Sequence, residues 1–282
     1  RDLRMSRGLG DVYKRQDTEY IFEADMDCQC GYHADVCDGI LLTPNRYEGN
    51  DDTPDVHRLM YKDLPAGMIS LFQSAYNFMK RQIDGVNLSG KIVMESYINA
   101  WFFLYTHQGI FDSDGRYIIV DKYPETLAMY KALMERENYH LPILYIADST
   151  LDLPLCPSCI DVNIDFFATN EHNFYRRSFF YEELTPLLKP GAWIIGTYFY
   201  FENGWRSMQK LLSQYPKCSD NNFSLQYFLK MANESGIVID KKEICGPSID
   251  SGNNIGFSSH QKGEKLYLLP YTAHRALPGR MG

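Results

Sequence analysis

The sequence predicts an α/β fold with a doubly wound, mostly parallel sheet, preceded by a small β-rich N-terminal unit. From about residue 88 to 272, short apolar runs alternate with stretches of helical periodicity. Strands that alternate with helices pair in parallel through right-handed crossovers. A chain of 282 residues, 45% apolar and 23% charged, is also long enough for one large domain with a small appendage. No internal repeat or low-complexity tract competes with this reading.

Residues 1–16, RDLRMSRGLGDVYKRQ, have no apolar period and carry five Arg and Lys against two Asp. They resemble translated adaptor sequence, so they are expected to be a non-native or disordered leader on a fragment. Residues 20–42 read as short strands around Cys28-Gln-Cys30-Gly31 and the turn Asp38-Gly39. Residues 45–55, with Pro44 and Pro54 at the margins, read as a linker. Over 57–83 the apolar residues recur at three- and four-residue spacing, an amphipathic helix interrupted at Pro65.

In the main domain, strands are expected over 91–95, 117–121, 143–147, 160–167 and 192–199. Helices are expected over 98–107, 124–138, with Pro124 in its first turn, and 171–188, stopped by Lys189-Pro190-Gly191. Helices around 207–213 and 223–232 follow, then strands over 236–243 and 265–269.

The net charge of −8 excludes a nucleic-acid-binding face spread over the whole surface, because phosphate contacts need clustered Lys and Arg. No apolar run approaches the roughly 20 residues needed to cross a bilayer, and no secretory leader opens the chain, so no membrane partner and a cytoplasmic location are expected. Seven cysteines, an odd number, fit reduced thiols better than a disulfide framework.

Four segments at particular spacings carry a family resemblance. Tyr117-Ile-Ile-Val120 ends in Asp121, about 26 residues after Glu95; an acid there accepts hydrogen bonds from ribose hydroxyls in a Rossmann-type site. Ala147-Asp148-Ser149-Thr150 follows the third strand, and Cys159-Ile160-Asp161-Val162-Asn163-Ile164-Asp165 leads into the fourth. Leu184-Thr-Pro-Leu-Leu-Lys189-Pro190-Gly191 then turns from a helix into the fifth strand. In order and spacing, over about two-thirds of the chain, these resemble the class I S-adenosylmethionine-dependent methyltransferases of the type 11 style. The resemblance implies a Rossmann-like domain over 88–272 with an antiparallel last strand, and a 273–282 tail. It further implies S-adenosylmethionine as cofactor, with Glu95, Tyr97, Asn99, Asp121, Lys122, Asp148, Ser149 and Asp165 at its site.

One loop departs from the family pattern of acid, any, Gly, any, Gly, any, Gly. Glu95-Ser-Tyr97-Ile-Asn99-Ala-Trp101 places Tyr, Asn and Trp at the glycine positions, where Tyr and Trp tolerate a positive φ poorly. Two alternatives stay open, a remodelled cofactor pocket or a scaffold that has lost its cofactor. After the fourth strand, Thr169-Asn170-Glu171-His172-Asn173 offers His172 as a base toward an unknown methyl acceptor. The same residues also read as a helix start, with Thr169 or Asn170 capping and Glu171 favoured by the dipole.

Residues 17–50 resemble the second half of a zinc ribbon, with Cys28 and Cys30 as metal ligands and Cys37 or His33 in reserve; tetrahedral zinc needs four. Residues 51–87 then form the linker and helix. Cys156-Pro-Ser-Cys159 has redox or metal spacing too, within a turn that the fold already explains. The resemblance leaves a second function class open: a catalytically inactive sensing domain of a truncated bacterial regulator of the MerR type, with nucleic acid bound only through a missing N-terminal region.

Overall fold

The computed structural model describes residues 23–27, 31–47, 66–98, 103–106, 115–139, 142–176, 178–202, 205–215, 217–218, 223–249 and 260–277. The first three strands, β1 (Glu23–Asp27), β2 (His33–Cys37) and β3 (Ile40–Leu42), form an antiparallel meander. Asp38 and Gly39 both have positive φ, 49° and 72°, as a two-residue type I′ hairpin requires. The expected β-rich unit is continuous with the main sheet, because β3 pairs in parallel with β6 (Ile143–Ala147).

The first helix, α1 (Ala66–Ile83), begins directly after Pro65. Residues 57–65 of the expected helix lie outside the described residues. Its buried stripe, Met68, Leu71, Phe72, Ala75 and Met79, follows helical spacing and packs on the far end of the sheet. Next come β4 (Ile92–Ser96), the one-turn α2 (Phe103–Thr106), β5 (Arg116–Asp121), α3 (Pro124–Arg136) and β6. Of the helix expected over 98–107, Phe103–Thr106 form α2 and Ile98 is not helical, while 99–102 and 107 lie outside the described residues.

Beyond β7 (Ile160–Phe166), the helix expected over 171–188 is two helices, α4 (Ala168–Tyr175) and α5 (Phe180–Leu184), and a 3-10 turn, Thr185–Leu187. Arg176 breaks it in an extended conformation. The Phe179 N–H donates to the Glu182 carboxylate at 3.0 Å and starts the next helix. The fifth strand, β8 (Leu188–Glu202), contains the Lys-Pro-Gly turn as a bulge: Ile160 faces Leu188 while Val162 faces Trp193. Gly191, at φ 76°, takes the left-handed position within it. The chain ends with α6 (Trp205–Gln214), α7 (Leu225–Glu234), β9 (Ile237–Lys242), β10 (Cys245–Ile249) and the long β11 (Lys265–Arg275). The sequence missed β10, whose Gly246-Pro247 pair reads against a strand.

The sheet order is β1-β2-β3-β6-β5-β4-β7-β8-β11-β10, with β9 beside the second half of β11. The strands from β3 to β8 are parallel, and β11 is antiparallel to β8. Alternation of period two sends Ile118 and Val120 into one core and Tyr117 and Ile119 into the other. Helices cover both faces, so these strands are apolar on both sides. Where β8 meets β11, Gly196 lies opposite Tyr271, and a Cβ on Gly196 would fall 2.6 Å from the Tyr271 ring and 2.9 Å from the Asp165 carbonyl oxygen.

Gly196→Ala should therefore destabilise the fold by about 3 kcal/mol, the upper part of the overpacking range. Urea unfolding of variant and parent checks it; a change within 0.5 kcal/mol, roughly the surface range, would show that Tyr271 moves aside freely.

Candidate functional site

The order of connection reverses at β4, whose neighbours are β5 on one side and β7 on the other. In an open α/β sheet this opens a crevice beyond the carboxyl ends of the strands. Glu95 lies at the carboxyl end of β4 and Tyr97 follows it, Asp121 ends β5 and Lys122 follows it, Asp148 follows β6, and α4 follows β7.

Glu95 is buried and accepts hydrogen bonds from the Phe103 N–H at 2.6 Å and the Leu104 N–H at 2.9 Å. It caps α2 and brings the chain back after the loop. Burial raises its pKa to about 8, against the two backbone donors, which lower it. Tyr97 keeps the backbone that glycine would favour, with φ 50°. Its side chain is buried, its ring centroid 6.2 Å from both His172 and Phe180. The Tyr97 hydroxyl has no hydrogen-bond partner among the described residues. Burial, followed by the field of Asp148, raises its pKa well above the usual tyrosine value.

Asp121 accepts the Tyr123 N–H at 2.9 Å, and its backbone carbonyl accepts the Asp148 N–H at 2.8 Å. Lys122 is buried and ion-paired with Glu171 of α4, so a salt bridge spans the crevice from β5 to α4. Its ammonium lies 5.0 Å from the Tyr123 ring centroid and 5.8 Å from that of Tyr47. Burial alone would depress the Lys122 pKa, but Glu171, Tyr123 and Asp121 together outweigh it and the net shift is upward.

Asp148 accepts from the Thr43 hydroxyl at 2.6 Å, the Thr150 N–H at 2.6 Å and the Leu151 N–H at 2.7 Å. The Ser149 hydroxyl donates to the Asn45 carbonyl at 2.5 Å. Both residues therefore hold the segment after β3 against the end of β6. His172 is buried, with Nε2 3.3 Å from the Ser178 hydroxyl and Nδ1 unpartnered among the described residues. Burial, then the Arg176 charge, lowers its pKa to about 4, so it is neutral near pH 7.

The structure corrects other expectations. Asp165 does not face the crevice: it is fully buried and accepts from the Thr169 N–H (2.9 Å) and hydroxyl (2.5 Å), the Tyr181 hydroxyl (2.9 Å) and the Tyr271 hydroxyl (2.5 Å). Asn170 does not cap α4; its amide pairs with the Phe199 N–H and carbonyl at 2.8 and 3.0 Å. Asn99, Cys28 and Cys30 lie outside the described residues. Among the described residues no group of three or more His, Cys, Asp or Glu can hold a metal ion, and no helix is long and apolar enough to cross a membrane. Thr43, Tyr47 and Arg176 were not anticipated: Thr43 reaches Asp148 from 105 positions away, beyond any local sequence signal.

No family model and no curated protein matches the chain. Solved structures do. Geranyl diphosphate C-methyltransferase from Streptomyces coelicolor A3(2), in complex with Mg2+, geranyl diphosphate and S-adenosyl-L-homocysteine, aligns with a TM-score of 0.54 at 12% identity, over 81% of this chain and 86% of that one. Haemonchus contortus phospholethanolamine N-methyltransferase 2, in complex with phosphomonomethylethanolamine and S-adenosylhomocysteine, aligns with a TM-score of 0.55 at 13% identity, over 80% and 58%. The fold is that of the class I methyltransferases. The [4+2]-cyclase SpnF shares it as well, with a TM-score of 0.50 at 10% identity over 83% and 86%, so the class I methyltransferase fold alone does not fix the reaction.

His172 sets a pH signature. Its folded pKa lies below its unfolded value of 6.5, so its contribution to stability is present above pH 6.5 and is lost as pH falls toward 4. The destabilisation caused by His172→Gln should accordingly shrink by on the order of 3 kcal/mol between pH 7 and pH 4. Denaturant unfolding of both proteins across that window checks it; a pH-independent difference would place a water-accessible His172 in the folded state.

Proposed function

We propose that the chain is an S-adenosylmethionine-dependent methyltransferase that binds its cofactor at the carboxyl ends of β4, β5 and β6. The carrying observation is a pair of buried polar atoms without a hydrogen-bond partner among the described residues, the Tyr97 hydroxyl and His172 Nδ1, placed beside the acids that close those strands. Orphaned polar atoms in a folded protein call for a partner. S-adenosylmethionine fits this setting, because its sulfonium and amino group suit a site lined by Asp121, Asp148 and Glu171, and its carboxylate suits Arg176. The bound cofactor supplies an electrophilic methyl group on sulfur.

The chain's own part is alignment and exclusion of water. Asp121 stands at the end of β5 for ribose hydroxyls, while the Tyr97 ring and the Lys122–Glu171 pair wall the crevice. At a pKa of about 4, His172 is a weak base near neutrality, and we assign it to positioning through hydrogen bonds. We place the protein in the cytoplasm, in line with five free cysteines among the described residues.

Calorimetric titration with S-adenosylhomocysteine tests the reading. Binding is expected in the parent chain, weakened about tenfold by Asp121→Asn, the loss of roughly one charge-assisted hydrogen bond. Tyr97→Phe, which keeps the ring and removes the hydroxyl assigned to the ligand, should weaken it by a similar factor. Absence of heat at millimolar ligand in the parent, or binding unchanged in both Asp121→Asn and Tyr97→Phe, would overturn the assignment.

A further inference from the structure

Cys156 and Cys159 flank Pro157-Ser158 where the chain enters the central strand β7, at the amino ends of the strands and opposite the crevice. Pro157 and Ser158 form a two-residue turn in which Ser158 has φ 53°. Proline at the second position and a positive φ at the third are the marks of a type II β-turn, which puts the first and fourth Cα atoms within about 7 Å. A disulfide spans Cα separations of about 4.4–6.8 Å. The turn is anchored from outside: the Ser158 N–H donates to the Pro186 carbonyl and the Cys159 N–H to the Leu187 carbonyl, both at 2.9 Å. Arg275 of β11 reaches the Ser158 hydroxyl at 3.3 Å and the Leu188 carbonyl. Cys156 is exposed, Cys159 is half-buried behind it, and both are free thiols.

We infer that Cys156 and Cys159 form a reversible dithiol–disulfide pair, a site of oxidation by small-molecule disulfides such as glutathione disulfide. The exposed Cys156, as thiolate, attacks one sulfur of glutathione disulfide, expelling one glutathione thiolate and forming a mixed disulfide. Cys159, as thiolate, then attacks the Cys156 sulfur and expels the second glutathione. Two protein thiols are oxidised, one glutathione disulfide is reduced to two glutathiones, and the two protons pass to the departing thiolates. Burial and the neighbouring Cys156 raise the Cys159 pKa to about 11. Its thiolate is therefore not stabilised in the reduced fold, which favours a persistent disulfide over a fast exchange catalyst.

The test is peptide mapping of the full chain after equilibration in glutathione buffers and alkylation of remaining thiols. The peptide carrying both cysteines should lose the mass of two hydrogen atoms, going from about one tenth to nine tenths oxidised over about a hundredfold rise in the ratio of glutathione disulfide to squared glutathione. Dithiothreitol should reverse it. Cys159→Ser should instead retain glutathione on Cys156, whereas Cys156→Ser should leave Cys159 open to alkylation. Alkylation of both sulfurs at every ratio in the parent chain would overturn the inference. So would a mixed disulfide on Cys156 that never resolves.

Discussion

Asp165 is fully buried on β7, and the donors that its carboxylate requires come from three separate elements: Thr169 on α4, Tyr181 on α5 and Tyr271 on β11. A buried carboxylate without such partners costs several kcal/mol, so the network fixes where these elements sit. Burial raises the Asp165 pKa while all four donors pull it down. Tyr271 reaches Asp165 only because Gly196 leaves room under its ring. One missing Cβ on β8 thereby sets the approach of the last strand, and that strand in turn carries β9 and β10 along its far edge.

The same logic orders the crevice. Glu95 holds α2, Asp148 holds the segment that joins β3 to the sheet, and Asp121 holds the turn at Tyr123, so each of the three strand-end acids has a structural partner. Beside these acids stand the Tyr97 hydroxyl, the Lys122–Glu171 pair, Arg176 and His172. Glu95 and His172 also bend stability in opposite directions with pH. A carboxyl whose folded pKa is raised to about 8 contributes stability that is full below pH 4.5 and lost as pH rises through 8. The histidine contributes its share above pH 6.5 and loses it on acidification.

Strand positions were legible because a sheet covered on both faces demands apolar runs, and β4, β5, β6 and β7 lie within a residue of their expected bounds. The helix over 171–188 was not, because Phe179-Phe180-Tyr181 continues an apolar pattern through a break made by the Arg176 backbone and the Glu182 cap. Strand-end acids were found by position, but not what they bind. The hydroxyl of Thr43 and the tyrosines around Asp165 come from distant segments, and side-chain partners of that kind leave no periodic trace. A glycine was expected at position 97 for its backbone freedom; the freedom is present, although the residue is tyrosine.

Position 97 therefore carries two costs at once. A non-glycine residue in the left-handed region costs on the order of 1 kcal/mol or more, and a buried hydroxyl with no partner among the described residues adds a penalty of about 1–3 kcal/mol. The surrounding contacts hold it there: the Ile98 N–H bonds to the Val120 carbonyl, and the ring is flanked by His172 and Phe180. Phenylalanine would remove the second cost and glycine the first, so neither is present to serve the stability of the fold. Both costs fall on one residue at the point where the sheet reverses its order of connection, which is where such folds take their ligands. That coincidence supports a ligand-facing role for the Tyr97 hydroxyl more strongly than the general likeness of fold, which a cyclase shares with methyltransferases.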